Sequence, residues 1–453
     1  MLKVVVTLLV GFMMLFTLRD NSSPTHVHIA IAGASSMTVS WQIIGAERPG
    51  KITFWEEDED RHRQTIVAET KCTYYGSGFH YHATLDNLKP GTKYSYQIQG
   101  ALQVRTFMSP APSTHSNVTV AVVADWGYGP LEYADETLLR LRLLKNTTNL
   151  ILHAGDISYA DNAFGRPESS PLVEGYEYVQ NGFMTVLESV ASEVPYMVAV
   201  GNHESECHSP LCLAQHALGD GLRNFTAYNC RWKMPNSHNM WHSFDYGPIH
   251  FVAINTETDF ADAPEEQFGD CTHCKLPAGS FGRQDEYLTW LKEDLTAAAA
   301  NRAIVPWIVT FGHRPMYSDD GDTCITPSVC NTVGGLIDSF SDLHITGHLH
   351  YYSRQVPLHS SIRPAHVLVG GAGNDEWLDR GVTGARGGVS EKFNWLSYGM
   401  AQSMASFSVI NRATLEWKAI RSIDGYAFDT LIIDRQLNGS NHITIESTTI
   451  LNS

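Results

Sequence analysis

The sequence predicts an all-β sandwich over residues 24–108 followed by an α/β domain over residues 117–435. Three observations carry that division. Short alternating strands with no helical period fill the stretch before Met108. A Ser-Pro-Ala-Pro-Ser run, residues 109–113 of a 109–116 linker, then interrupts the pattern. Beyond Asn117, apolar β runs alternate with helical segments, which is the texture of an α/β domain. With 453 residues and ~150 residues per domain there is room for about three such units. An apolar fraction of 43% excludes a disordered chain.

The chain opens on a processing signal. Lys3 supplies a small positive region, and residues 4–18 form an uncharged apolar run. That run falls short of the ~20 residues that span a bilayer, so residues 1–20 read as a secretory signal peptide. No Ala-x-Ala pattern precedes Asn21, which leaves an uncleaved anchor as the alternative. No stable membrane span is expected after cleavage. Asn-x-Ser/Thr sequons at Asn21, Asn117, Asn146, Asn224 and Asn438 are candidate glycosylation sites and agree with a secreted, extracellular protein. The eight cysteines, at 72, 207, 212, 230, 271, 274, 324 and 330, form an even set suited to disulfides. Cys207–Cys212, Cys271–Cys274 and Cys324–Cys330 are near enough in sequence to pair, but connectivity stays open.

In the first folded part, residues 27–30, 37–41, 51–55, 80–85 and 93–98 alternate apolar and polar residues between Gly, Pro and Asn punctuation. They predict a sandwich of fibronectin or immunoglobulin type, with Trp41 in its core. In the second part, residues 118–124, 150–154, 196–200, 249–254, 305–311, 343–346 and 366–369 are candidate strands, many apolar on both faces. Residues 131–144 and 284–300 are candidate helices; in the second, Tyr287, Leu288, Leu291 and Leu295 share one face. Residues 406–410, 415–420 and 429–433 return to strand-like sequence in the same domain. Residues 436–453 read as a C-terminal tail.

Composition narrows the partners. The 48 acidic against 31 basic residues give a net charge of −17 with no Lys/Arg run, so nucleic acid is not an expected partner. The chain also carries 21 histidines, a common metal-ligand and acid–base type.

Five ends of these strands carry ligand-type residues. They are Val-Ala-Asp125, Gly155-Asp156-Ile-Ser-Tyr159, Gly201-Asn202-His203-Glu204, Phe-Gly-His313 and Gly347-His348-Leu-His350. In open α/β sheets, sites form in the crevice beyond the carboxyl ends of strands, so loops far apart in sequence can converge. A small residue precedes the ligand each time, and glycine permits the tight turn that swings a short side chain inward. Any one of these residues alone is ordinary turn chemistry. The ordered set of five, each after an apolar strand, is a metal-site pattern.

That set resembles the five metal-site motifs of the purple acid phosphatases, secreted members of the calcineurin-like metallophosphoesterases. The resemblance covers nearly the whole mature chain and extends to the large, plant-type layout with an N-terminal fibronectin-like domain. Gly347-His-Leu-His-Tyr-Tyr352-Ser-Arg354 fits the family's continuation, and residues 411–429 look like its C-terminal segment. The resemblance implies an α-β-β-α sandwich for the second domain and a dinuclear site within it. Asp125, Tyr159 and His350 would bind Fe(III). Asn202, His313 and His348 would bind a divalent Fe, Zn or Mn, and Asp156 would bridge the two. Hard anionic donors suit the trivalent ion, while imidazole and an amide oxygen suit the borderline divalent one. The implied activity is acid phosphatase action on small phosphate monoesters, by attack of a metal-bound hydroxide. His203 would be a catalytic contact, orienting phosphate or protonating the leaving group. Plant-type relatives also make a homodimer an expectation. The alternatives are a phosphodiesterase or nucleotide pyrophosphatase using the same site, or a non-catalytic secreted binding protein.

Two departures stand out. Thr310 occupies a position where the family usually has Val. No histidine lies between Arg314 and Leu343, where plant-type members carry further substrate-facing ones. Arg314 could contact phosphate or cap its loop; His242 could reach the site, but an ordinary core or surface role is the better expectation.

Overall fold

The computed structural model describes residues 23–59, 61–74, 77–128, 135–161, 172–205, 224–235, 238–264, 280–317, 324–355, 364–373, 390–393, 403–435 and 441–447. Residues 1–20, where a signal peptide is expected, and Asn21, Asn438 and the cysteines at 207, 212, 271 and 274 lie outside the described residues.

The N-terminal strands are β1 (Thr25–Gly33), β2 (Ser36–Ile43), β3 (Lys51–Glu56), β4 (Gln64–Val67), β5 (Thr70–Cys72), β6 (Phe79–Leu85), β7 (Lys93–Ile98) and β8 (Arg105–Met108). They form two four-stranded sheets, ordered β1-β2-β6-β5 and β4-β3-β7-β8. Strand side chains alternate between faces. Val27, Ile29, Val39, Trp41 and Tyr81 therefore fill the space between the sheets, with Trp41 stacked on Tyr81 at 5.6 Å. The opposite face of the first sheet carries His28, Ser40 and His82, which stand side by side in register. It is buried too, because it docks on the second domain.

The second domain contains β9 (Val118–Val123), α1 (Asp135–Leu144), β10 (Leu150–Ala154), α2 (Leu172–Ala191), β11 (Tyr196–Ala199), α3 (Thr226–Arg231), β12 (His242–Tyr246), β13 (Ile249–Ala253), α4 (Glu286–Ala300), β14 (Trp307–Phe311), β15 (Leu343–Thr346), β16 (Tyr352–Gln355), β17 (Ala365–Val369), β18 (Ser390–Phe393), β19 (Ser403–Ile410), β20 (Thr414–Arg421), β21 (Ala427–Arg435) and β22 (Asn441–Ser447). Two seven-stranded sheets result, β11-β10-β9-β19-β20-β21-β22 and β12-β13-β14-β15-β17-β16-β18. Strands β9 to β11 run parallel, as do β13, β14, β15 and β17. The sheets pack face to face: Phe251 of β13 lies 6.4 Å from Phe407 of β19. Residues 441–447, read from sequence as tail, pair with β21 along their whole length. Helix α4 starts at Glu286 rather than at residue 284 because Asp285 is left-handed, at φ 61.

A disulfide joins Cys72 of β5 to Cys230 of α3, and a second closes Cys324–Cys330. Only the second is among the near-sequence pairs. The first spans 158 residues and staples the two domains together.

Candidate metal centre

Each expected ligand sits where a buried parallel strand ends. Asp125 follows β9, Asp156 and Tyr159 follow β10, Asn202 follows β11, His313 follows β14, and His348 and His350 lie between β15 and β16. Asp125, Asp156, Tyr159 and His313 are all at most 1% exposed. Strand geometry would send neighbouring side chains to opposite faces. The loops avoid this with left-handed residues: Asp125 (φ 55), Asp156 (φ 53), Tyr159 (φ 53) and His348 (φ 72). Of the preceding glycines only Gly155 is itself left-handed, at φ 81. Gly201 and Gly347 are needed for space instead. A Cβ at Gly201 would collide with Asp156 Oδ1, and one at Gly347 with Asp125 Oδ2.

The donor atoms fall into two groups that meet at one oxygen. In the first, the Tyr159 hydroxyl lies 3.1 Å from Asp125 Oδ1, 3.3 Å from Asp156 Oδ2 and 3.0 Å from His350 Nε2. In the second, Asn202 Oδ1 lies 2.9 Å from both His313 Nε2 and His348 Nδ1, and His313 Nε2 lies 3.0 Å from Asp156 Oδ2. The donor atoms of Asp156, His313 and His348 all stand within 4.8 Å of one another.

This arrangement fits a metal ion on chemical grounds. His313 Nδ1 donates to the Ala154 carbonyl at 3.0 Å, so in the neutral ring Nε2 carries a lone pair. That lone pair faces the oxygens of Asn202 and Asp156. Acceptors converging on acceptors need a cation between them. Burial pulls the His313 pKa down, but Asp156 outweighs it and draws the ring up to about 10, so a proton fills that need when no metal does. Burial likewise pushes Asp156 up, while His313 and His203 overcome it and hold the carboxyl well below its usual range. His348 is pushed well below the ordinary imidazole value, first by burial and then by Arg314, and stays neutral.

Residues around the donors fix their orientation. Glu204 accepts from the backbone N–H groups of Asp156 (2.9 Å), Ile157 (2.8 Å) and Gly201 (2.8 Å), clamping two ligand loops together. Burial, then Asp156, pushes its pKa up to about 8. His203 stands beside the centre with its side chain 12% exposed. Its ring lies 4.2 Å from the Tyr159 ring, and its Nδ1 donates to Asp161 Oδ2 at 2.8 Å.

Sequence reasoning missed Asp161, although it stands five residues after Asp156 in the same loop. It also missed Glu257, whose buried carboxylate accepts from Arg314 Nε at 2.8 Å; nothing in the run around Glu257 signals it. Arg314 is thereby placed behind His348, with Nη1 3.3 Å from His348 Nε2. Thr310 has its own local partner: its hydroxyl lies 2.8 Å from His344 Nδ1. His242 is an ordinary core residue on β12, packed against Phe244 and Phe311.

The family model for calcineurin-like phosphoesterases matches residues 118–352, which hold all seven donors and His203. The chain belongs to the calcineurin-like phosphoesterases. The N-terminal domain of purple acid phosphatases matches residues 24–116, placing this phosphoesterase in the purple acid phosphatase group. Acid phosphatase A of Cryphonectria parasitica is 28% identical over 472 residues, covering 91% of this chain and 92% of its own. Human acid phosphatase type 7 is 28% identical over 79% of this chain and 80% of its own. The purple acid phosphatase PPD1 from yellow lupin seeds has the same fold, with a TM-score of 0.71 and 18% identity over 92% of this chain and 75% of that one.

Proposed function

We propose that this phosphoesterase hydrolyses small phosphate monoesters at a dinuclear Fe(III)–M(II) centre. The observation that carries the reading is the pair of donor groups meeting at Asp156 Oδ2. Asp125, Tyr159 and His350 would hold the trivalent ion, Asn202, His313 and His348 a divalent Fe, Zn or Mn, and Asp156 both. When bound, such a pair supplies a Lewis acid for the phosphoryl oxygens and acidifies water into a nucleophile near neutral pH.

The chain's own residues do the rest. Asp125 and Asp156 bring carboxylate oxygens and Tyr159 its phenol oxygen into a buried site, and Glu204 ties the Asp156–Tyr159 loop to the Asn202 loop. Asp161 accepts a hydrogen bond from His203 Nδ1 and so orients the ring, turning Nε2 toward the centre. In its doubly protonated, imidazolium form His203 would carry a proton on Nε2, 3.9 Å from Asp156 Oδ2, and could give it to the departing alkoxide oxygen, leaving the neutral ring. Acid phosphatase relatives aligned over 81–91% of this chain support the monoester reading.

Secretion is part of the same proposal. Two disulfides and no free cysteine among the described residues suit an oxidising compartment. The sequon residues Asn117, Asn146 and Asn224 are exposed. Among the described residues no helix is long and apolar enough to cross a membrane.

The test is quantitative metal analysis with an absorption spectrum, followed by rates on a monoester and a diester. The reading expects two metal ions per chain, one of them iron, a visible band lost in Tyr159→Phe, and faster monoester turnover. Purified protein without iron, or a band unchanged in Tyr159→Phe, would overturn it.

A further inference from the structure

Behind the loop that carries His348 and His350, a charged network is buried between the two sheets. Arg354 of β16 and Asp429 of β21 are 1% and 0% exposed. Asp429 Oδ2 accepts from Arg354 Nε at 2.6 Å and from the Tyr352 hydroxyl at 2.6 Å. The Tyr352 hydroxyl in turn accepts from Trp417 Nε1 of β20 at 3.1 Å. The Tyr352 ring stands edge-on to Phe428 at 5.3 Å. One oxygen of one carboxylate thus ties the second sheet to the first.

Stability does not explain the pair. Removing two charges from water costs several kcal/mol per ion, and well-packed apolar residues of similar volume often do as well or better. Its place in the chain suggests a different role. Tyr352 is the second residue after His350, so the anchored side chain starts within about 7 Å of the ligand's Cα. The entering end of the loop is held by the other ligand loops: Gly347 N donates to the His313 carbonyl, and His348 N donates to both oxygens of Asp125. Between the ends the backbone is tightly folded, with Leu349 N bonded to Gly347 O and Tyr351 N to Leu349 O. The leaving end runs straight into β16. That strand's short ladder and its cross-sheet tie to Asp429 therefore set where His350 stands.

We propose that Arg354, Asp429 and Tyr352 are positioning residues for the metal centre: they hold His350 Nε2 against Tyr159 and Asp125, and so make the C-terminal strands part of the site. This inference rests on the metal-centre reading above.

The decisive variant is Arg354→Met with Asp429→Leu, which removes both charges and strands neither. The full chain is loaded with iron and zinc, and the release of metal to a chelator is followed with the thermal midpoint measured alongside. The expected result is a midpoint within a few degrees of the parent and metal release faster by about tenfold or more, the scale on which outer partners of ligands act. Tyr352→Phe, which removes a single hydroxyl, should show a smaller acceleration of the same kind and decides the matter if the double variant does not fold. Parent protein that binds no metal would sink the metal-centre reading, and this inference with it. A parent that binds metal, with folded variants releasing it at the parent rate, would sink this inference alone.

Discussion

Acid should weaken the joint between the two domains, and the buried histidines of the first sheet let the size of the effect be worked out. His26, His28, His80 and His82 are all nearly inaccessible. His28 packs against Trp232 at 4.6 Å, and His82 Nε2 lies 3.1 Å from the Cys230 carbonyl. His26 lies 3.2 Å from Thr185 of α2, and His80 stacks on Tyr74 at 5.6 Å. The charged groups facing them are Arg231, the Glu177 carboxylate that pairs with it, and Lys233. Burial first of all brings the His28 pKa down to about 4 and that of His82 to about 3. His26 and His80 are lowered in the same direction, by burial and then Arg231. Because these values lie below the unfolded 6.5, the stability they contribute is present at neutral pH and is lost as pH falls below about 6.5. Each such group costs about 1.4 kcal/mol per pH unit in that window. For His28 and His82 that comes to about 2 kcal/mol each between pH 7.5 and 5, or about 4 kcal/mol together. His250 works in the opposite sense. Burial lowers it, but Asp245 and Asp294 raise it to about 9, so its contribution is full below about pH 6.5 and is lost progressively from there to about 9, which offsets about 1.4 kcal/mol of the acid loss between pH 7.5 and 5. Urea unfolding followed by tryptophan fluorescence at pH 7.5, 6.5, 5.5 and 5 would measure the loss. His28→Phe keeps a ring against Trp232 without a titrating nitrogen, so its loss should be smaller by about 2 kcal/mol. A parent whose stability is flat across this range, or a variant with the parent's slope, would refute the reasoning.

Two further outcomes follow from the same contacts. Asp161→Asn should leave metal content unchanged while lowering kcat by about 10²-fold and shifting the pH–rate profile, since the carboxylate that accepts from Nδ1 orients the protonated His203 ring as an acid and a positioned acid contributes on that scale; metal analysis and a pH–rate profile check both. Replacing Cys72 and Cys230 together by Ser should lower unfolding stability by about 5 kcal/mol on the chain-entropy account for a 158-residue separation. Differential scanning calorimetry should then resolve separate transitions for the sandwich and the phosphoesterase domain.

The strand ends that carry the expected ligands were legible because each follows a short strand buried on both faces, and such strands announce their own ends. Strands β10 and β15 fall on the residues expected of them. Helix α2 was not legible. Its Gly175 and Gly182, with Tyr, Val and Phe through its length, obscure a helical period. Strands β4 and β5, of four and three residues, lie at sheet edges and are largely exposed, so no alternation marks them. The Cys72–Cys230 bond could not be read because docking of two domains, not local sequence, brings the cysteines together. The histidines of β1 and β6 sat in plain view in alternating strands. Alternation predicts a solvent face there, and only the second domain makes that face interior.

The left-handed residues explain why the site needs so much scaffolding. Asp tolerates that conformation, but for Tyr159 and His348 it is a true departure, of order 1–3 kcal/mol each. The strain buys convergence: without reversal of the backbone at these points, Asp156 and Tyr159 could not share one centre. Convergence in turn crowds ligand-type atoms together, with Asp125 Oδ1 3.4 Å from His350 Nε2 and Asp156 Oδ2 3.0 Å from His313 Nε2. A protein folding for stability alone would relax both features. What holds them in place is rigid on every side: seven-stranded sheets feeding the loops, Glu204 across two of them, and Asp429 behind a third. On the dinuclear reading, positive charge at the centre would repay them and would let a chain with a net charge of −17 present a site for an anionic ester.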